Sequence, residues 1–159
     1  MPRAKESGKV TMRGFFAIGV FHSKSKENIG TLFRSAHAFG AAFIFTVGRR
    51  YTQQITDTMA ASKHIPCFHF PTLDDLKSHL PLNCELVGIE LHPQAKPLPQ
   101  FVHTHATCYL LGAEDHGLNE EAIAACHRLV QIPGAERCLN VATAGSIVLY
   151  DRWVKGQRE

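Results

Sequence analysis

The sequence predicts an α/β fold, a mainly parallel sheet flanked by helices. Two observations carry that expectation. Short apolar runs without clean polar alternation recur at Gly14–Phe21, Ala42–Val47, Glu85–Leu91 and Thr107–Gly112, and a strand covered on both faces has no solvent side to mark with polar residues. Between them lie segments of helical spacing with capping residues at their starts, and strands alternating with helices build a parallel sheet. A length of 159 residues lets one domain, spanning 1–159, bury a core without disulfides or metal. Residues 1–12 are expected to form a flexible basic tail.

Gly14–Phe21 reads as the first strand. Ser25-Lys26-Glu27-Asn28 supplies capping oxygens, and Ile29, Leu32, Phe33, Ala36 and Phe39 recur at helical spacing until Gly40, so a helix with one apolar stripe follows. Its other face carries Gly30, Thr31, Arg34, His37 and Ala38, and Arg34 is the only charge from Asn28 to Ala42. A solvated face usually bears Lys and Glu. A single arginine among small residues marks either a surface that a phosphate, a ribose or a partner subunit approaches, or an arginine simply in solvent.

Ala42–Val47 is a second strand, and Gly48–Gln54 after it is a basic, polar loop in which Arg49, Arg50 and Tyr51 suit RNA contact. Ile65–Phe70 is a short edge strand containing Pro66, and Thr72 caps a helix that begins at Leu73. Glu85–Leu91 is a buried strand, residues 93–99 a loop, and Thr107–Gly112 another buried strand. Asn119-Glu120-Glu121 opens a short helix carrying Ile123 and Cys126, and Leu129–Ile132 is the last strand. Ligands of open parallel sheets collect beyond the carboxyl ends of strands. The turns Leu91-His92, Gly112-Ala113-Glu114 and Ile132-Pro133 all lie there.

From Ile132 a loop leads into a terminal helix starting near Asn140. Val141 and Val148, then Ala142, Leu149 and Trp153, then Ile147, Tyr150 and Val154 cover nearly its whole circumference with apolar side chains. A surface helix needs only one stripe, so this one is expected to be buried by its own domain and by a second subunit. Ala142, Ala144 and Gly145 leave room for a ligand or another backbone.

Composition excludes several classes. With 45% hydrophobic and 19% charged residues the chain is ordinary for a globular protein, and no apolar run approaches the roughly 20 residues of a membrane span. The start lacks the apolar core of a secretory signal, so a cytoplasmic protein is expected. Five widely spaced cysteines fit reduced thiols. Ten histidines lack the cysteine partners or H-x-x-x-H spacing of a metal site, so none is expected. The net charge of +3 is mild, but Arg3, Lys5, Lys9 and Arg13, Lys24 with Lys26, and Arg49-Arg50 form basic points that suit either a polyanion or ordinary solvation.

Three separated blocks, Asn28-Ile29-Gly30-Thr31-Leu32-Phe33-Arg34, Leu111-Gly112-Ala113-Glu114-Asp115-His116-Gly117-Leu118, and Ile132-Pro133 through Leu139-Asn140-Val141-Ala142 to Leu149-Tyr150-Asp151, resemble in order the three motifs of the SpoU (TrmH-like) branch of SPOUT RNA methyltransferases. The resemblance covers most of the chain. It implies a deep carboxyl-terminal trefoil knot, S-adenosyl-L-methionine held in that knot, a homodimer formed through the terminal helix region, and methyl transfer to a ribose 2′-hydroxyl of RNA. Topology rules alone argue against a knot. The resemblance also implies catalytic positions at Asn28, Arg34, Glu114 and Asn140, and a cofactor pocket built by the backbone around Ile89, Glu90, Leu91, Gly112, Ile132, Cys138 and Leu139. Cys138 stands where the family often has serine. Its weaker hydrogen bonding leaves a backbone contact intact.

A sulfonium donor is already activated, so the protein has mainly to place a 2′-oxygen in line with the methyl. Free guanidinium stays protonated to a pH of about 12 or more, so Arg34 is expected to clamp the ribose and its phosphate. Asn28 is expected to orient Arg34 or the ribose, and Glu114 to hold Arg34 or Asn140. The compact size resembles minimal relatives that act on tRNA, which favours tRNA over rRNA. A dinucleotide-dependent oxidoreductase is disfavoured because no G-x-G-x-x-G follows a strand. A catalytically inactive RNA-binding module of the same fold is the other alternative.

Overall fold

The structure is a computed structural model that describes residues 14–50 and 61–157. The expected basic tail over residues 1–12 and the RNA-contact candidate Tyr51 lie outside the described residues. The chain runs β1 (Phe15–Phe21), α1 (Lys26–Phe39), β2 (Phe43–Val47), α2 (Ala61–His64), β3 (Cys67–Phe70), α3 (Leu73–His79), β4 (Glu85–Ile89), β5 (Lys96–Pro97), β6 (Ala106–Leu111), α4 (Glu120–Ala125), β7 (Arg128–Gln131) and α5 (Val141–Gly156).

The strands form a single sheet in the order β3-β2-β1-β6-β4-β7-β5, and every pairing is parallel. This is the mainly parallel sheet the apolar runs predict. The period of two along each strand divides the core between its faces. Ile18, Val20, Tyr109 and Leu111 face one way, under Leu32 and Phe33 of α1 and Val148 and Leu149 of α5. Ala17, Phe21, Cys108 and Leu110 face the other, under Leu73 and Leu76 of α3 and Ala122 of α4. Both faces are covered, which is why the runs show no polar alternation.

The caps appear where the sequence puts them. The Ser25 side chain accepts from the Asn28 N–H and Gly40 ends α1, while Thr72 caps α3 and Asn119 caps α4. Two elements were not expected. Pro97 and Lys96 pair with Gln131 and Val130 inside the segment read as a loop, because two residues hold that strand through tertiary pairing rather than propensity. α2 is a four-residue turn too short to show a period. Glu90 and Leu91 lie past the end of β4, although the Glu90 N–H still donates to the Val130 carbonyl at 3.0 Å.

α5 lies beside α1, where Leu32 packs on Gly145. Its far half seals the amino ends of β1 and β6 by a route the sequence did not show. Arg152 is only 4% exposed. It donates to the carbonyls of Thr104 at 2.9 Å and His105 at 3.2 Å and to the Tyr109 hydroxyl at 3.3 Å, and it lies over the Phe16 ring. The Tyr109 hydroxyl meets His103 Nδ1 at 2.6 Å, His103 Nε2 meets Asp151 at 2.8 Å, and Lys155 donates to Asp151 at 2.6 Å. An arginine only donates and a carboxylate only accepts, so the protons are ordered. Tyr109 accepts from Arg152 and donates to His103, and a neutral His103 donates from Nε2 to Asp151. Burial pushes His103 down to about 4 against the opposing pull of Asp151, and burial pushes Tyr109 up to about 12. The opposite face of α5 stays open, with Tyr150 56% and Trp153 51% exposed and their rings stacked.

Candidate functional site

Because every strand runs the same way, the carboxyl ends of β6, β4 and β7 open on one edge of the sheet. An open cleft lies there, where ligands of parallel sheets collect. Ile89, Glu90 and Leu91 line it from the end of β4, Gly112 through Gly117 from the loop after β6, and Ile132, Arg137, Cys138 and Leu139 from the terminal loop. Val141 and Ala144 of α5 close it. All seven residues expected around a cofactor therefore line a single cleft.

The loop after β6 is held from two sides. Ala113 and Gly117 exchange backbone hydrogen bonds of 3.2 and 2.8 Å, and a Cβ on Gly112 would fall 2.0 Å from the Gly117 carbonyl carbon. Only glycine permits so close a return of the chain. Glu90 contributes more than backbone, since its carboxylate accepts from the Leu91 N–H at 3.0 Å and from the Leu118 N–H at 2.7 Å. It thus latches the end of β4 to the end of this loop.

Glu114 is placed differently from the expectation. Its carboxylate holds neither Arg34 nor Asn140. It accepts from the buried Ser23 hydroxyl and from the Lys24 N–H at 3.2 Å, joining the cleft loop to the turn between β1 and α1. The reason is positional, because β1 and β6 are neighbours in the sheet and the loop after one meets the turn after the other. Partial burial pushes this carboxyl up, but hydrogen bonds from Ser23 and from the backbone N–H groups of Glu114, Lys24 and Ser25 outweigh it and hold the group below the usual carboxylate range. Lys24 also pairs with Asp115 at 3.1 Å, and His116 with the same carboxylate at 3.2 Å.

Asn28 and Asn140 come together. Asn140 Oδ1 caps α5 by accepting from the N–H groups of Ala142 and Thr143, at 2.9 and 3.2 Å. Its Nδ2 donates to Asn28 Oδ1 at 2.8 Å. Asn140 is thus helix cap and bridge at once. Leu139 and Val141 face the cleft, whereas Asn140 lines a neighbouring open groove with Thr31, Thr143, Ser146, Ile147 and Tyr150. Arg34 is exposed on α1, and Arg49 and Arg50 are exposed beyond the end of β2; the three are not joined to the asparagine pair by any hydrogen bond among the described residues. Sequence reasoning missed Ser23, the Glu90 side chain and Arg137 as parts of the site. Glu90 carried a signal, a charged residue ending an apolar run. Ser23 carried none, since its partner lies 91 residues away.

Among the described residues no three His, Cys, Asp or Glu side chains assemble as metal ligands, and no helix is long and apolar enough to cross a membrane.

A family model described as the SpoU rRNA Methylase family matches residues 16–150. The chain is 26% identical over 130 residues to a tRNA (guanosine(18)-2′-O)-methyltransferase of Escherichia coli, covering 79% of this chain and 57% of that protein. It is 30% identical over 136 residues to the 23S rRNA (guanosine-2′-O-)-methyltransferase RlmB of Acinetobacter baylyi, covering 79% of this chain and 54% of that one. The chain therefore spans little more than half the length of these relatives. Among solved structures, the SpoU methyltransferase AviRb from Streptomyces viridochromogenes in complex with AdoMet superposes with a TM-score of 0.78 at 24% identity, covering 90% of this chain and 58% of that one.

Proposed function

The chain belongs to the SpoU rRNA methylase family, and from that premise we propose that it transfers a methyl group from S-adenosyl-L-methionine to a ribose 2′-hydroxyl of RNA, with tRNA favoured. The observation that carries this reading is convergence. Blocks around residues 111–118 and 132–142 line one cleft, and the start of the 28–34 block and the turn before it are tied to them by the Asn28–Asn140 and Ser23–Glu114 hydrogen bonds.

The cleft fits the cofactor in character. Its lining combines the apolar side chains of Ile89, Leu91, Leu111, Ile132, Leu139 and Val141 with the charged Glu114, Asp115 and Arg137, a set suited to a molecule with a flat base, a cationic sulfur and a carboxylate. Ile89 to Leu91, Gly112, Ile132, Cys138 and Leu139 would hold it, mainly through main chain. Bound there, the cofactor supplies a methyl group on a sulfonium, already activated for transfer.

The protein's part is placement. Asn140, fixed by its cap, holds Asn28 by its carbonyl oxygen, which leaves the Asn28 amide N–H groups to orient a ribose. Arg34 clamps the adjoining phosphate, a task suited to a planar guanidinium, and Glu114 steadies the cleft loop. Arg49 and Arg50, exposed beyond the end of β2, extend the RNA surface along the carboxyl edge. The exposed Ile147, Tyr150 and Trp153 face of α5 supports association of two copies, and the family membership over residues 16–150 supports a knotted carboxyl-terminal segment.

Calorimetry with S-adenosylmethionine and with NAD, followed by transfer of labelled methyl to tRNA and 23S rRNA transcripts, tests the proposal. Binding of the first ligand alone and labelling of tRNA is expected. The identity to the Acinetobacter relative favours rRNA as the second reading, which labelling of that transcript alone would establish. Cofactor binding with no RNA labelled would point to an inactive binding module, and NAD binding alone would overturn the assignment.

A further inference from the structure

His22 follows β1 with its backbone in the left-handed region, at a φ of 53°, a conformation that favours glycine and that histidine, asparagine and aspartate adopt more often than other side chains. The turn is tied down. The His22 N–H donates to the Val47 carbonyl at 3.0 Å, so the end of β1 is held to the end of β2. The ring meets Phe21 edge-on, with centroids 4.5 Å apart and planes at 76°. It also lies over Gly48, where φ is 82° and a Cβ would fall 2.3 to 2.7 Å from three of its atoms. Two residues with left-handed backbones thus cooperate to seat one imidazole.

That ring is at the carboxyl edge of the sheet, on an exposed residue, and among the described residues it makes no hydrogen bond. Covering Phe21 does not require this arrangement, because an aliphatic side chain on ordinary extended backbone would cover it without strain. The next residues after Gly48 are the exposed Arg49 and Arg50. A flat ring fixed at a rim beside two cations matches the pattern by which proteins take single-stranded nucleic acid, with the ring under a base and the cations on its phosphates.

We propose that His22 is a stacking platform for an RNA base near the modified ribose, with Arg49 and Arg50 contacting the adjoining phosphates. This rests on the RNA reading above. The stack uses the face of the ring, and Gly48 sets the tilt of that face.

The test is the affinity of an unmodified tRNA transcript, measured by anisotropy, for the full chain and three variants. His22→Gly removes the ring and relieves the backbone, His22→Asn removes the ring while tolerating the left-handed turn, and His22→Phe keeps a flat ring without nitrogens. The two ringless variants are expected to lose about tenfold in tRNA affinity, and the phenylalanine variant less than about threefold. Calorimetry with S-adenosylmethionine is expected to stay unchanged in all three, which reports that the fold is intact. Wild-type affinity in His22→Gly would overturn the platform while leaving the RNA reading standing. Equal loss in His22→Phe would overturn it too, because the nitrogens rather than the ring face would then make the contact. Failure of the unaltered protein to bind either tRNA or 23S rRNA would remove the RNA reading and the platform with it.

Discussion

The two edges of the sheet are both polar, and they use that polarity in opposite ways. At the amino edge Arg152, Tyr109, His103, Asp151 and Lys155 bond to one another and to backbone carbonyls. At the carboxyl edge Arg49, Arg50 and His22 are exposed, Arg34 is exposed on α1, and the asparagine pair keeps amide hydrogens in reserve. A closed network of buried charge has no capacity for a ligand and stabilises one arrangement of strands and helix. An open set of donors around a cleft has that capacity. The difference separates residues that hold the fold from residues that act, although both edges contain arginine, histidine and a carboxylate.

Each substitution below should therefore divide stability from activity. The largest effect is expected from Arg34→Ala, which should lower methyl transfer roughly a thousandfold, about 4 kcal/mol, with cofactor affinity and melting temperature little changed. Loss of cofactor affinity in calorimetry would move Arg34 from the RNA side to the cofactor side. Arg152→Met should do the reverse. It leaves buried carbonyls and a tyrosine hydroxyl without their donor and should cost about 3 kcal/mol of unfolding free energy, while the folded fraction keeps its cofactor affinity. A denaturation midpoint equal to the unaltered protein's would show that the amino-edge network is not what holds α5 down.

The third effect is in pH. His103 is held near 4 in the folded chain, below its ordinary value, so between about 4 and 6.5 the unfolded chain binds the extra proton. Stability therefore rises with pH through that window and falls as pH drops, by about 2 kcal/mol between pH 8 and pH 5. Chemical denaturation at those two values measures it, and His103→Gln should flatten the difference. An equal difference in the variant would assign the slope to other groups. The smallest effect is expected from Cys138→Ser. If the cleft is mostly main chain, cofactor affinity should change less than threefold, and a tenfold loss, about 1.4 kcal/mol, would mean that the side chain itself is a ligand.

Much of this arrangement was legible in the chain. β1, β2, β4 and β6 are runs long enough to show burial on both faces, and Ser25, Gly40, Thr72 and Asn119 mark helix ends through local chemistry. The turns after β4, β6 and β7 were legible because ligands collect at the carboxyl ends of parallel strands, whereas the cofactor residues, Cys138 and Leu139 among them, came with the family resemblance. What stayed hidden depends on partners distant in sequence. β5 exists only because β7 lies beside it, Glu114 meets Ser23 only because β1 and β6 are neighbours, and Arg152 reads as a solvent charge until Thr104, His105 and Tyr109 surround it. His22 was equally silent, because a left-handed turn on a histidine leaves no pattern in composition or period.

The most direct measurement is mass spectrometry of nucleosides from an unmodified tRNA transcript after incubation with this protein and S-adenosylmethionine carrying a deuterated methyl group. The expected result is a single nucleoside heavier by that methyl on its ribose, absent with Arg34→Ala. A methyl on a base, or a transcript returned unmodified while the same protein binds the cofactor, would contradict ribose methylation as the work of this site.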